Sequence, residues 1–427
     1  MINQLTGLAN TAARALGTAA QTAADRYNQA TAHPQPIYRL EVNGQDITPR
    51  IEKRLLSLTL TDNRGLEADQ LSLTLEDHDG QLAIPPRRAT VRLWLGWQDT
   101  GLVNKGTYIV DEVEHSGSPD VISIRASSAD LRAGLTRKRE RSWHDVTLAD
   151  IIKTVAEAYS LNPVIDQVLG RVPVPHCDQA DESDANLLTR LATDHDAISS
   201  VKAGHLLLMP VGASKTASGI ELPHIHLTRR DGDGHRWMEA DRDAYTGVRA
   251  HYYDDNSADR LDAIIGTDDN IKTLRHVYAD KQSALQAARA EWQRLQRGTS
   301  TLSYTLALGR ADLIPEMTYS LHGVKQEISD TVWLAKSVTH NLSDSGYITS
   351  LELENQLAED PDLAALVEGG YTGVVAWYRN EKTGEQVKVT EGDQTNPKRL
   401  THLYASKRGA ERAVEREWER LKPQADS

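Results

Sequence analysis

Phenylalanine does not occur in this 427-residue chain, so Trp, Tyr, Leu and Ile fill the apolar positions. Cysteine occurs once, at Cys177, which excludes an intrachain disulfide framework and fits a reducing compartment. No run of about 18 apolar residues is present, so no membrane-spanning segment is expected. The opening stretch MINQLTGLANTAARALGTAAQTAADRY lacks both a basic n-region and a continuous apolar h-region, and does not read as a secretory signal. Positive charge is also short: 48 Lys and Arg face 61 Asp and Glu, for a formal net charge of −13. That balance argues against a sequence-independent grip on DNA phosphates. The one basic run, RKRERS at 137–142, is too short to reverse it.

What is present is the composition of a soluble globular protein, 39% hydrophobic and 26% charged. The length allows roughly two to four domains. Residues 1–35 are an Ala-rich helical extension, either a marginal helix or one that docks on a partner, and HPQP at 33–36 breaks it. From 36 to 135 the pattern turns to period two. IYRLEVNG, LLSLTLTDN, DQLSLTLED, TVRLWLGWQ, GTYIVDEVEH and DVISIRASS read as short strands of a small closed barrel or sandwich. Residues 136–244 mix helices with strands: HDVTLADIIKTVAEAYS and DESDANLLTRLATDHD are helical, with SWHD (142–145) at the start of the first and Ser183 capping the second. Strands resume at 245–356 around an inserted helix at 280–297. Residues 357–427 form a C-terminal extension.

That extension repeats earlier sequence. A shift of 126 residues aligns 245–296 with 371–422 without a gap, matching YTGV with YTGV, Ala250 with Ala376, Tyr252 with Tyr378, and Trp292 with Trp418. The helical face Ala284, Ala288, Trp292 and Leu295 becomes Ala410, Val414, Trp418 and Leu421, and Asp280 becomes Ser406, both N-cap types. The pattern reads as a duplicated strand–helix unit whose copy has no strands after it, a half-module needing cover from the rest of the subunit or a neighbour. A fainter echo relates 107–124 to 332–353, aligning Tyr108, Val113 and His115 with Trp333, Val338 and His340.

Chemistry-bearing patterns are few. His224 and His226 share one face of a strand, but no third ligand stands at a characteristic spacing. DGDGHRWMEADRD has His235 and Arg242 where a calcium loop needs an Asx and a Glu, and reads as a Gly-rich turn. Cys177 beside His176 has no activating context. No nucleophile elbow, phosphate loop or dinucleotide fingerprint appears. No catalytic, cofactor-binding or metal-binding residue is assigned, and no cofactor is expected.

Several stretches, in order over about residues 37–356, resemble the late control protein D family of contractile-tailed bacteriophages, the tail hub. They are LTLTDNRGLEADQLSLTLEDHDGQLAIP, GTYIVDEVEHSGSPDVISIRASSADLR, SWHDVTLADII, VPHCDQADESDANLLTRLA, AYTGV, VYADKQSALQAARAEWQRLQRG, LALGRADLIPE and SVTHNLSDSGYITSLELE. The resemblance implies an α+β, β-rich multidomain chain with two similar small β-barrels around the α+β middle region. It implies a non-enzymatic homotrimer in the virion tail tip or baseplate, assembled in the host bacterial cytoplasm. Two barrels in each of three subunits would present a quasi-six-fold ring to the hexameric tail tube protein, with the trimeric spike protein on the other side. The tape-measure protein and baseplate components are further candidate partners, and no specific nucleic-acid binding is implied. Two other readings are a cell-wall hydrolase carried at the tail tip and a late-gene regulator. The first lacks a carboxylate pair or nucleophile; the second lacks a helix-turn-helix and is opposed by the acidic charge.

Overall fold

The computed structural model describes residues 34–128, 134–202, 204–215, 220–239, 245–254, 259–267, 269–278, 280–357, 373–379, 386–392, 397–404 and 406–421. The Ala-rich segment 1–33 and most of the acidic segment after Leu357 lie outside them. The chain divides into two compact units, one made of residues 1–245 and 293–357, the other of 246–292 and 358–427.

In the first unit, strict alternation turns one face of each early strand inward. β1 (Pro36–Val42) and β2 (Gln45–Asp46) lead through a short helix to β3 (Leu55–Asn63), which buries Leu58 and Leu60, and β4 (Gln70–Glu76), which buries Leu71, Leu73 and Leu75. β5 (Thr90–Trp97), β6 (Gly101–Ser116) and β7 (Val121–Ser128) complete this region, adding Leu93, Leu95, Tyr108 and Ile122 to one core. Each such side chain, fully buried, contributes about 1.5–3 kcal/mol.

The middle region follows as β8 (Lys138–Thr147), helix Leu148–Ala158, β9 (Asn162–Ile165), helix Gln167–Gly170, β10 (Pro173–Ser183), helix Asp184–Asp194, β11 (Ala197–Lys202) and β12 (His205–Pro210). SWHD does not begin the first helix. Pairing with β10 holds Ser142, Trp143 and His144 within β8, and the helix starts after Thr147. There Thr147 Oγ1 accepts from the Asp150 amide (3.3 Å) while the Thr147 amide donates to Asp150 Oδ2 (2.9 Å). Ser183 caps the longer second helix, accepting from the Asn186 amide at 3.2 Å. Ile151, Ile152 and Val155 meet Leu187, Leu188, Leu206 and Leu208 in a second core.

β13 (His224–Thr228) and β14 (Gly232–Glu239) come next, the latter taking in the DGDGH turn sequence. After β15 (Gly247–Asp254), β16 (Asp259–Gly266) and β17 (Ile271–Tyr278) of the other unit, the chain runs through the helix Lys281–Gly298 and returns to the first unit at residue 293. Its last strands are β18 (Ser300–Leu306), β19 (Thr318–His322), β20 (Trp333–Ser343) and β21 (Gly346–Asn355). β13 pairs parallel with β19, and β14 antiparallel with β18. These two strands therefore belong with the later β region, not with the middle region that a boundary at 244 gave them. The intervening residues 246–292 separate in sequence what one sheet joins in space.

The two β regions are not separate closed barrels. β3 pairs with β20 from Ser57–Ser343 to Asn63–Ser337, making one 13-stranded sheet in the order β14-β18-β21-β20-β3-β4-β7-β6-β5-β1-β2, with β19 and β13 branching from β20. No ring of pairings closes among the described residues. Alternation looks the same in a closed barrel and in an open sheet packed on one face, so the pattern alone does not separate them.

The second unit holds two small sheets. β15 pairs antiparallel with β16 and parallel with β17; β22 (Gly373–Arg379) pairs antiparallel with β23 (Gln386–Gly392) and parallel with β24 (Pro397–Tyr404). Registers agree at the 126-residue shift: Gly247 opposes Gly266 and Ile271, as Gly373 opposes Gly392 and Pro397. Even the irregularity between Arg249 and His251 recurs between Val375 and Trp377. Residues 259–266 and 271–278 thus form strands, as do 386–392 and 397–404, and a strand such as β16, which buries only Ala263 and Ile265, looks polar in sequence. The later unit is consequently not a half-module. The helix Lys407–Leu421 lays Ala410, Val414 and Trp418 over Val374, Ala376 and Val389 of its own sheet.

Candidate functional site

The concentrated polar chemistry of the first unit lies where its regions join. At the β3–β20 seam, Lys105 Nζ meets Asp62 Oδ2 at 2.7 Å and also reaches the carbonyls of Ala311 (3.3 Å) and Leu313 (3.4 Å). Tyr108 donates to the Lys105 carbonyl at 2.6 Å, and Trp97 Nε1 donates to the Gly309 carbonyl at 2.7 Å. Fully buried His340 has Nδ1 3.0 Å from both Thr349 Oγ1 and the Tyr347 hydroxyl. Burial, and then the Lys105 charge, holds its pKa well below the ordinary range, so the ring is neutral. A buried Lys–Asp pair and a neutral imidazole can be retained here only because every charge has a partner, and the result is a rigid joint.

A second joint gathers four segments. Arg64 pairs with Glu316 and Glu354, each at 2.5 Å, and donates to the Ala335 carbonyl at 3.1 Å. Arg297 pairs with Asp196 and lies 3.5 Å from Glu354. The Gly212 amide donates to Glu316 Oε2 at 2.8 Å, and Gln356 Nε2 to the Gly212 carbonyl at 3.0 Å. Burial pushes the Glu316 carboxyl up from its usual range while Arg64 pulls it down. These groups tie the middle region to both β regions.

Two arginines of the basic run RKRERS, Arg139 and Arg141, are half-buried against an internal carboxylate, while Arg137 and Lys138 are exposed. Fully buried Asp184 accepts from the Tyr159 hydroxyl (2.6 Å) and Gln179 Nε2 (2.8 Å), with Arg139 Nε at 3.1 Å and Arg141 Nη1 at 3.5 Å. Lys138 pairs with Asp181 at 2.7 Å. An open pocket of about 360 Å³ lies over residues 137–141. With Glu140, Asp181 and Asp184 set against Arg137, Lys138, Arg139 and Arg141, the four cations exceed the carboxylates by a single charge.

The residues singled out in sequence fall on surfaces or in the core. His224 and His226 stand on the exposed face of the β13–β19 ladder, their Nδ1 atoms 2.9 Å from Thr318 Oγ1 and 2.8 Å from Ser320 Oγ. His322 stacks on His226, with centroids 6.3 Å apart. Cys177 is buried, which pushes its thiol up, with Arg190 Nη2 3.9 Å from Sγ. His176 turns the other way and meets His144 of β8, a contact invisible in sequence because 32 residues separate the two rings. Among the described residues no set of three or more His, Cys, Asp or Glu side chains is arranged to hold a metal ion. No helix among them is long and apolar enough to cross a membrane.

The polar groups of the first unit gather at buried joints between its regions. Residues 63–346 match the family described as phage tail baseplate hub (GPD). The chain is 44% identical over 365 residues to a "probable baseplate hub protein" of Escherichia phage 186, spanning 76% of this chain and 94% of that one. It is 41% identical over 364 residues to the protein of the same description from Escherichia phage P2, again 76% and 94%. The 43 kDa tail protein of prophage MuSo2 from Shewanella oneidensis shares the fold with a TM-score of 0.56 at 15% identity, over 75% of this chain and 98% of that one. A tail protein from Neisseria meningitidis MC58 does so with a TM-score of 0.57 at 14% identity, over 75% and 96%.

Proposed function

This chain belongs to the phage tail baseplate hub family, a structural and not an enzymatic family, and we propose that it acts as a homotrimer adapting a six-fold tail tube to a three-fold spike. The observation that carries this reading is an internal correspondence between the two β regions. In hairpin β6–β7 the register slips between Val110 and Glu112; in hairpin β20–β21 it slips between Ala335 and Ser337, the same places 225 residues on. Tyr108 and Trp333, at that same spacing, are both fully buried. A bulge is a specific device for bending a strand, and its recurrence supports two related β domains per subunit. Three subunits then offer six quasi-equivalent elements to the tube. The β3–β20 seam and its Lys105–Asp62 pair hold the two domains as one body.

Under this reading the domain plan is an Ala-rich extension at 1–35, β domains that draw on 36–135 and 245–356, an α+β region between them, and a C-terminal extension built on the module first seen at 247–292. The matching registers of the two small sheets support duplication as the origin of that extension. The protein would assemble in the host cytoplasm and end in the virion baseplate, with spike, tube and tape-measure proteins as neighbours. An acidic lumen would let DNA pass without binding phosphate. Light scattering on the purified chain should give three times its 47.2 kDa mass. Mixing it with tube protein should give capped tubes by electron microscopy. A stable monomer that leaves tubes uncapped would overturn the proposal.

A further inference from the structure

We propose that His144 and His176 form a two-imidazole site for a borderline divalent transition-metal ion such as Zn²⁺, Ni²⁺ or Cu²⁺, with Asp178 orienting one of the ligands. The two residues are direct partners in the β8–β10 ladder, and both rings are exposed. Their Nδ1 atoms lie 3.1 Å apart and their ring centroids 4.8 Å apart. With metal–nitrogen bonds of about 2.0–2.1 Å, that separation corresponds to a bite angle of roughly 100°, between the tetrahedral and square-planar values.

The surroundings favour ligation over a bare ring–ring contact. His176 Nε2 lies 3.0 Å from Asp178 Oδ2, and Ser142 Oγ donates to Asp178 Oδ1 at 2.6 Å. A carboxylate that takes the Nε2 proton leaves the lone pair on Nδ1, the arrangement by which second-shell carboxylates orient metal-bound histidines. Without a metal, one Nδ1 must carry the proton that the other accepts; a metal ion replaces that proton and bonds to both nitrogens. Cys177, between His176 and Asp178, is buried away from this face, so the donor set is nitrogen with outer oxygen, which suits Zn²⁺, Ni²⁺ and Cu²⁺. Two protein ligands leave the other coordination positions open to water or to a donor from a neighbouring molecule. The second histidine cluster differs in kind: His224 and His226 each turn Nδ1 toward a hydroxyl, Thr318 Oγ1 and Ser320 Oγ.

The test is titration of the full chain with Cu²⁺ alone, followed by calorimetry and by electron paramagnetic resonance. The wild-type protein should take up one ion at its strongest site with a two-nitrogen hyperfine pattern. His144→Ala/His176→Ala should weaken that uptake at least tenfold and abolish the pattern. Asp178→Asn should keep the pattern but weaken binding about tenfold, the usual effect of losing such a partner. His224→Ala/His226→Ala should change neither, and far-UV circular dichroism should confirm that all variants fold. Equal uptake by wild type and His144→Ala/His176→Ala, or no uptake by wild type, overturns the site. Unchanged affinity in Asp178→Asn overturns the orienting role.

Discussion

In the module at 247–292 the outer face of the sheet is charged: Asp262 pairs with Arg249 at 3.2 Å and with His251 at 2.6 Å. In the module at 373–421 the same three positions hold Lys388, Val375 and Trp377, and Val375 is only 1% exposed. The inner faces do not diverge in this way. Val248, Ala250, Ala284 and Ala288 are fully buried in one, and Val374, Ala376, Ala410 and Val414 in the other. The packing between helix and sheet sets the fold, and the face turned away from it is free to change its chemistry. A repeated part can therefore keep its helix-to-sheet packing while exchanging an ionic cluster on the other face for apolar residues.

The largest expected contrast is between these modules and the first unit under acid. Burial holds His195 down to about 4. The unfolded chain gains a proton near pH 6.5 that the folded one refuses until about 4, so the first unit loses roughly 3 kcal/mol as pH falls through that window. His340 adds to the loss in the same direction. Hydrogen exchange across pH 7 to 4 should show the first unit weakening, and His195→Gln should flatten its slope.

Breaking one module alone comes next. Gly266 sits at φ +86°, and a Cβ there would lie 2.4 Å from the Thr246 carbonyl oxygen. Gly266→Ala should cost about 3 kcal/mol, strain and clash together, and expose 247–278 to exchange while 373–404 stays protected. Core swaps should sharpen the comparison. Val414→Ala removes two buried methyl groups, for about 2 kcal/mol, whereas Ala288→Val at the matching position overfills its core for about 1–3 kcal/mol. Each module should thus resist the other's residue in thermal unfolding.

The smallest effect is at the caps. Asp280 accepts from both the amide and the hydroxyl of Ser283 at 2.8 Å, while Ser406 accepts from the Gly409 amide at 3.3 Å. Asp280→Ala and Ser406→Ala should each cost about 1 kcal/mol, with Asp280 the larger, as helix protection would report.

Much of this organisation is legible along the chain. Leu58, Leu60, Leu71 and Leu73 announce their strands by period two, and the 126-residue spacing announces the second module, because alternation, caps and turn glycines act over a few residues. The strands β16, β17, β23 and β24 are harder to read, since each lies at the edge of its small sheet, and β16 buries only Ala263 and Ile265. His144 facing His176 was not legible at all, because cross-strand register, not spacing, brings them together.

The sequence by itself determined the strongly alternating strands, the main helices, the repeated stretch and the family, since each rests on local pattern or on residue identities in order. Only the tertiary structure decided that β3 pairs with β20, that β13 and β14 join β18 and β19 across an interposed module, and which polar groups meet at the joints. The physical reason is that strand edges carry the same backbone donors and acceptors everywhere. Which edge meets which depends on packing between residues as much as 290 positions apart, as Arg64 and Glu354 are.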